Sequence, residues 1–385
     1  MRALLVAFAV SAKAAPPAWN ASAIREARVR EVARWLDGGG AAAPSSWSVR
    51  SKYDLSARWE PLSAGEVKEV FAATYADPDG TGGAEPDRVV VKTMTAPRKG
   101  TAKEVWKRDR QIRAEILYLS YLAGEPGVPR LYGGWRSDNG SRLSYVVANA
   151  GGVVAEGKGT RGQPYRARAP WAAYVEESPL YAARALLRCF RSFSEVGGYF
   201  LEDYDPHQFA FTPPRSRKKK HRATGAVFLV DGPMAMSGTM RELSLEAGLR
   251  VFPPKSEARV NAGAACSTDA DCPHTASKHC CCGFKGSDDA CAPNADGTIR
   301  GAPEARGRCS ENGRCADVTA ATHVHDFATT PWALPLAVRE GARKLAHDDR
   351  KALHRLQQHM AAPDPRDRPT FTQALAALDA IISGT

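Results

Sequence analysis

The 385-residue chain lacks a long hydrophobic run beyond its first residues. A helix that crosses a bilayer needs about 18 or more consecutive apolar residues, and no later run reaches that length. The chain opens instead with Arg2, a short apolar stretch over 3–10 and the small-x-small triplet 12–14, a pattern typical of a cleavable secretory signal. The sequence therefore predicts a signal peptide over residues 1–14 and a lumenal or secreted protein without a membrane span.

Cysteine is scarce outside one segment, because eight of the nine cysteines lie between residues 266 and 315. This segment has few large apolar residues and cannot fold by core burial alone. We expect four disulfide bonds, with the pairing undetermined, in an oxidising compartment. Zinc ligation with help from His274 and His279 is the alternative. Glycosylation acceptor triplets at Asn20 and Asn139 agree with the secretory prediction.

The net charge of +11 is uneven, because much of it lies in the basic run 215–222. Aromatic residues are absent from this run, so the sequence does not predict a nucleic-acid surface. The simplest interpretation is a solvated hairpin tip. Binding of acidic glycans and proteolytic processing are the alternatives.

A buried ion pair is predicted in the strand-rich part of the chain, which follows a helix over 22–36 and a linker. The β-branched strand 89–94 carries Lys92 at its centre, and the next predicted helix carries Glu115 within an apolar stripe. That stripe consists of Ile112, Ile116 and Leu119. Because burying a lone carboxylate is costly, we expect Lys92 to pair with Glu115. The alternative is a lysine on the solvated face of an edge strand.

Further along, an acid, a proline and an amide occur in the order that a phosphotransferase catalytic loop requires. Asp203 is the candidate base, Pro206 forms the turn and Gln208 offers a carbonyl oxygen to a metal. An apolar strand over 227–230 then ends in Asp231, where a second metal carboxylate is expected. An upstream hairpin over residues 62–71 has the outline of a nucleotide-covering loop.

That hairpin keeps one glycine of the usual three, Gly65, and returns to a strand through Val70. Ser63 and Lys68 occupy the other glycine places. Near the C-terminus, residues 367–371 form an Asp-Arg-Pro-Thr-Phe motif.

Taken together, residues 58–384 resemble the eukaryotic protein-kinase superfamily. The signal and the cysteine-rich segment make the chain most similar to the divergent secretory-pathway kinase-like proteins of the endomembrane lumen. The resemblance implies an α+β, two-lobed protein-kinase-like fold. Its N-terminal lobe would span residues 58–149 and its C-terminal lobe 150–384, with a disulfide-rich insert over 262–316. Residues 15–57 would precede the lobes as a helix and linker.

The resemblance also implies the function and its cofactors. The chain would be an ATP-dependent kinase that transfers a γ-phosphoryl group to a hydroxyl acceptor, expected to be on a protein, with Mg²⁺ or Mn²⁺. The catalytic residues would be Asp203, Lys92 and Glu115. The nucleotide-binding residues would be Gly65, Val70 and Lys92, and the metal ligands Asp231 and Gln208. Arg368 would be a buried structural arginine, with Glu311 as its partner.

Several positions depart from the family pattern. Leu201 and Glu202 replace the His-Arg that precedes the catalytic aspartate, Gln208 replaces an asparagine, and His323 stands where an aspartate is usual. Two other functions therefore remain open. One is a pseudokinase or scaffold without turnover, and the other is a secreted interaction protein whose active part is the disulfide module.

Overall fold

A computed structural model of the chain shows a mixed α+β protein, as the sequence predicts at this level. The described residues are 21–37, 42–64, 67–76, 87–95, 102–137, 142–156, 166–200, 206–214, 225–231, 235–236, 264–274, 305–306, 309–315 and 320–384. Among the helices of these ranges, none is both long and apolar enough to cross a bilayer.

The largest sheet is antiparallel and has five strands. These are β1 (Glu60–Ala64), β2 (Lys68–Tyr75), β3 (Asp87–Met94), β4 (Leu131–Arg136) and β5 (Leu143–Ala148). Their order across the sheet is β1-β2-β3-β5-β4, and each neighbouring pair is antiparallel. β3 is therefore the central strand, which contradicts the alternative that Lys92 lies on an edge strand.

Successive side chains of a strand point to opposite faces of its sheet, and β3 has buried side chains on both faces. Val89 and Val91 are fully buried in a small cluster with Tyr75 and Tyr132. Met94 belongs to the main core on the opposite face, and the alternation places Lys92 on that same face.

Two helices lie on this face of the sheet, α1 (Ala21–Leu36) and α2 (Ala102–Tyr121). The helix predicted over 22–36 is confirmed, although Ile24 is 41% exposed and does not join the buried stripe. That stripe is made by Val29, Val32, Ala33 and Leu36. The Leu36 carbonyl oxygen accepts a hydrogen bond from Arg113 Nη1 on α2 at 2.5 Å. The first helix therefore packs directly on α2.

The shorter strands form small sheets after the five-stranded one. They are β6 (Gly152–Val153), β7 (Ala155–Glu156), β8 (Arg166–Ala167), β9 (Tyr199–Phe200), β10 (Phe209–Thr212), β11 (Ala226–Leu229) and β12 (Ala235–Met236). A three-stranded sheet has the order β11-β10-β6, while β7 pairs with β8 and β9 with β12. The hairpin of β10 and β11 carries the candidate metal ligands at its open end.

The remaining part of the chain is mostly helical. Its described helices are α3 (Ala169–Glu177), α4 (Pro179–Arg191), α5 (Ala320–Thr329), α6 (Leu334–Lys344), α7 (His347–Met360) and α8 (Phe371–Ser383). They surround an aromatic core in which the rings of Phe190 and Phe209 stack with their centroids 5.4 Å apart. This contact fixes β10 against α4.

The sequence also predicts a helix over 323–335 and a strand over 127–134, and both predictions have wrong bounds. Residues 323–335 are not one helix, because α5 ends at Thr329 and α6 begins at Leu334. Pro335 lies in the first turn of α6, where its missing N–H costs no helical hydrogen bond, so it helps to start the helix. The strand predicted from residue 127 begins only at Leu131, since Gly127 has a φ of 78° and residues 128–130 lie outside the strand.

The cysteine-rich segment contains two described disulfide bonds, Cys266–Cys309 and Cys272–Cys315. A short ladder of β13 (Pro273–His274) and β14 (Ala305–Arg306) lies beside them. These four cysteines are paired with each other, so zinc ligation is not the role of their sulfur atoms in this structure. The other four cysteines of the segment, and His279, lie outside the described residues. Asp269 links this module to the helical part through Arg366 Nη2, at 3.2 Å.

Candidate functional site

The site is built around Lys92, which lies in the middle of the central strand. Its neighbours across the ladders are Val70 on β2 and Tyr145 on β5. Because both neighbouring strands are hydrogen-bonded to β3, the backbone at Lys92 is held on two sides. Its long side chain crosses the face of the sheet toward α2, and only 6% of that side chain is exposed.

The Lys92–Glu115 pair that the sequence predicts is present. Lys92 Nζ lies 2.5 Å from Glu115 Oε1, and the Glu115 side chain is also only 6% exposed. The same ammonium donates a hydrogen bond to the carbonyl oxygen of Val230. The pair therefore joins the sheet, α2 and the end of β11.

A second lysine, Lys68, completes the pairing of Glu115. Lys68 Nζ donates to Glu115 Oε2, so each carboxylate oxygen contacts one ammonium group. Lys68 Nζ also lies 2.5 Å from Asp231 Oδ1. Two ammonium and two carboxylate groups thus form one continuous cluster, whose formal charges cancel.

The sequence interpretation did not assign a role to Lys68, although strand register could have identified it. Lys68 lies opposite Met94 on β3, and Val70 lies opposite Lys92. Directly opposite residues share a face of the sheet, so Lys68, Val70 and Lys92 all face α2. A register prediction for β2 and β3 would have placed both lysines near Glu115.

Asp231 is positioned by the hairpin of β10 and β11. Phe209 pairs with Leu229 in this ladder, which places Gln208 next to the chain that leaves β11. The Gln208 carbonyl oxygen accepts hydrogen bonds from the backbone N–H groups of Val230, at 2.7 Å, and Asp231, at 3.4 Å. The two predicted metal ligands are therefore tied together through the backbone.

The side chains of these two residues suit a hard divalent cation. Gln208 Oε1 is buried and has no hydrogen-bond partner among the described residues. A buried carbonyl oxygen without a partner is unfavourable unless a ligand or ion satisfies it. The Asp231 side chain is 55% exposed, so its carboxylate is accessible. Carboxylate and amide oxygens are the ligands that Mg²⁺ and Mn²⁺ prefer.

The charges of the cluster determine the protonation states of its members. Burial alone would raise the pKa of Glu115, but Lys68 and Lys92 outweigh it and lower this pKa to about 2. Burial would likewise lower the pKa of Lys68, but Glu115 and Asp231 raise it above its ordinary value. For Lys92, burial prevails over the attraction of Glu115, and the neighbouring Lys68 charge also lowers the pKa.

Tyr145 forms an aromatic wall beside the cluster. Its ring centroid lies 5.7 Å from Lys92 Nζ, within reach of a cation–π contact. Burial, together with the nearby Glu115 carboxylate, raises the pKa of Tyr145 well above its ordinary value. The phenol therefore stays neutral and adds no negative charge to the site.

Of three further residues predicted to bind the nucleotide or to act in catalysis, the structure describes only Val70. Gly65 and the candidate base Asp203 lie outside the described residues. Val70 is half-buried on β2, directly opposite Lys92. The turn Pro206–Gln208, which follows Asp203 in the sequence, is described and begins with a buried proline.

Arg368 is buried, as the sequence predicts, and it supports the backbone of the helical part. Its guanidinium donates to the carbonyl oxygens of Ala362, Ala321 and Pro363. Glu311, its predicted partner, is exposed in the disulfide-linked segment. The contacts of Arg368 hold the loop before α8 against the start of α5.

Chemically, the arrangement offers ammonium groups for an oxyanion and oxygen ligands for a divalent cation, side by side. Such a pair of functions suits a polyphosphate bound together with a metal ion. The residues come from the central sheet, α2 and the β10–β11 hairpin, which are far apart in the sequence. Searches of protein-family models and of curated proteins find no match to this chain.

Proposed function

We propose that this protein is an ATP-dependent phosphotransferase with a two-lobed, protein-kinase-like fold. Within that superfamily it would belong with the divergent secretory-pathway kinase-like proteins. The observation that carries the proposal is the buried contact of Lys92 with Glu115, extended through Lys68 to Asp231. A lysine on a strand paired with a glutamate on a helix, close to a metal-binding aspartate, is the arrangement that kinases use for ATP.

The arrangement of elements supports a division into two lobes. The five-stranded sheet and α2 would form the N-terminal lobe over residues 58–149. The mostly helical part would form the C-terminal lobe over 150–384, with the disulfide module inserted at 262–316. The proposed cleft lies where Lys92 meets Val230 and Lys68 meets Asp231, since these contacts join the sheet to the β10–β11 hairpin.

Within this cleft the ammonium of Lys92 would bind the α- and β-phosphates of ATP. Glu115 would orient it, because their contact removes the freedom of a long side chain. Val70, opposite Lys92 on β2, would contact the nucleotide from the sheet, and Gly65 would belong to the loop that covers the phosphates. Of the three usual glycines of that loop only Gly65 remains.

Asp231 and Gln208 would hold Mg²⁺ or Mn²⁺ through a carboxylate and an amide oxygen. When bound, the divalent ion neutralises charge on the phosphate oxygens. The Oε1 atom of Gln208 supports this role, because it is buried and accepts no hydrogen bond from the described part of the chain. Gln208 also anchors Asp231 through its backbone carbonyl.

Asp203 would accept the proton of the attacking hydroxyl, as the sequence predicts. The acceptor is expected to be on a protein, and the two disulfide bonds are compatible with a lumenal or secreted location. Phosphoryl transfer would break the bond between the β–γ bridging oxygen and the γ-phosphorus. It would form a new bond from the acceptor oxygen to that phosphorus and release ADP.

The test is thermal unfolding of the purified protein with ATP and Mg²⁺ or Mn²⁺, followed by a phosphoryl-transfer assay. We expect the metal–nucleotide complex to raise the melting temperature, because ligands that bind only the folded state stabilise it. Asp231→Asn should lose both this shift and turnover. Asp348→Asn, which changes an exposed carboxylate at the start of α7, should keep both.

The outcomes separate the candidate functions. A melting shift together with turnover supports the enzyme, while a shift without turnover supports the pseudokinase or scaffold. No response of the wild-type protein to nucleotide would contradict both of them. The interaction role of the disulfide module would then be the better account.

A further inference from the structure

We propose that Lys68 is a second polyphosphate-binding lysine. In the metal-free protein its ammonium group pairs with Asp231, and a divalent cation that binds Asp231 releases this ammonium group to contact phosphate. This inference rests on the proposed function, because it assigns a further residue to the same site. It concerns the metal-free protein and the change that metal binding would cause there.

The two lysines of the cluster have different partners. Lys92 contacts Glu115 Oε1 and the Val230 carbonyl oxygen, both of which are parts of the folded scaffold. Lys68 contacts Glu115 Oε2 and Asp231 Oδ1. One of the two lysines therefore neutralises the carboxylate that is expected to bind metal.

The contact with Asp231 is the exchangeable one. The Asp231 side chain is 55% exposed, whereas the Glu115 side chain is 6% exposed. Water and ions reach the first carboxylate but not the second. A divalent ion from solution can thus compete with the Lys68 ammonium for Asp231 while the contact with Glu115 persists.

The charges of the site then favour a phosphate group as the new partner of the Lys68 ammonium. The described cluster of two ammonium and two carboxylate groups is formally neutral, and a bound M²⁺ would leave it with two positive charges. An ammonium close to a divalent cation is repelled by it, and the repulsion is strong in a poorly solvated site. A buried ammonium also requires an anion or acceptor. A polyphosphate bound to the metal lowers this repulsion through its negative charge and also supplies the anionic partner.

The position of Lys68 in the sequence agrees with this role. It occupies one of the places where a phosphate-covering loop usually carries glycine. Glycine in such loops lets backbone N–H groups approach phosphate oxygens. The Lys68 ammonium, on the first residue of β2, would bind phosphate oxygens through its charge. It would thereby replace part of the phosphate binding that glycine backbone N–H groups provide in such loops.

The experiment compares wild type, Lys68→Met and Lys68→Arg in two binding measurements. The first is Mn²⁺ alone, followed by the paramagnetic signal of free Mn²⁺. The second is ATP with saturating Mn²⁺, followed by calorimetry. Circular dichroism and melting without ligand establish that each variant is folded. Methionine keeps the aliphatic length without the charge, and arginine keeps the charge.

The proposal gives opposite signs for the two ligands. Lys68→Met should bind Mn²⁺ alone about tenfold more tightly, because the competing cation on Asp231 is gone. It should bind Mn²⁺–ATP about tenfold more weakly, because one charged contact with phosphate is lost. Lys68→Arg should resemble wild type in both measurements. Lys92→Met, whose lysine does not contact Asp231, should not gain affinity for Mn²⁺.

A purely structural role for Lys68 would weaken or leave unchanged both affinities in Lys68→Met, and either result overturns the proposal. Failure of the proposed function is recognised separately. In that case wild type itself does not bind Mn²⁺–ATP, whereas failure of the Lys68 role alone leaves wild-type binding intact and the Lys68→Met affinity equal to it.

Discussion

Glu115 is the residue on which the site depends, because two ammonium groups share its carboxylate. It is buried on α2, and Lys92 and Lys68 each contact one of its oxygens. Removing one partner of a buried ion pair leaves an uncompensated charge and usually costs several kcal/mol. Here a change at Glu115 would leave two ammonium groups without their common partner.

This arrangement predicts a specific pH dependence of stability. The pKa of Glu115 in the folded protein is about 2, below its ordinary value of 4.5. A lowered carboxyl pKa stabilises the fold above the ordinary value, and this contribution is lost as the pH falls toward the folded value. Glu115→Gln should therefore be less stable than wild type by about 3 kcal/mol above pH 5. The difference should narrow as the pH falls toward about 2.

Urea unfolding of both proteins at a series of pH values measures this difference. Glu177→Gln, which changes an exposed glutamate at the end of α3, is the control and should follow wild type throughout. A difference between Glu115→Gln and wild type that stays constant down to about pH 2 would contradict the charged role of Glu115.

At this scale, apolar context made part of the site predictable. Lys92 interrupts a β-branched strand and Glu115 interrupts an apolar helical stripe, so each is a charge that needs a partner. Lys68 gave no such signal, because the strand around it is half-buried and mixed in character. Its role depends on strand register and on the reach of a long side chain, neither of which composition reveals.

At the scale of elements, hydrophobic periodicity predicted the helices and strands that carry strong patterns. α2 and β3 lie where their apolar spacing places them. The error at α6 arose because Pro335 was treated as the end of a helix, although it occupies the first turn. The packing of α1 on α2 was not predictable, since an isolated helix shows its apolar stripe but not its partner.

The contact of α4 with the loop before β4 gives a prediction at this scale. Gly127 has a φ of 78°, and an added Cβ would lie 2.5 Å from Cys189 Cα on α4. Gly124 has a φ of 90°, but an added Cβ would have no atom within 4 Å. Gly127→Ala should therefore be more destabilising than Gly124→Ala by about 2 kcal/mol.

The two variants are matched, because both pay the backbone penalty of a positive φ for alanine. The difference between their urea midpoints isolates the steric overlap with α4. Equal destabilisation would mean that α4 does not approach the loop as closely as described. The Leu229 N–H also donates to the Gly127 carbonyl oxygen at 3.0 Å, so this loop supports the strand that leads to Asp231.

For the whole molecule, the central claim is that sheet, helix and hairpin meet around a polyphosphate. The disulfide module lies apart from this cluster in the contacts that the structure describes, and it reaches the helical part through Asp269 and Arg366. The sequence predicted the mixed α+β class and the presence of disulfide bonds. It left the disulfide pairing open, because the spacing of eight cysteines does not determine it.

An ATP derivative with an acyl group on its terminal phosphate tests this claim most directly. A lysine amine beside the phosphates attacks the acyl carbon, takes the acyl group and releases ATP, so peptide mapping then identifies the lysine. We expect labelling of Lys92 and Lys68, suppressed by excess ATP with Mg²⁺, and no such protection at the exposed Lys52 or Lys351. Labelling that spreads over surface lysines and is not suppressed by ATP would contradict the account.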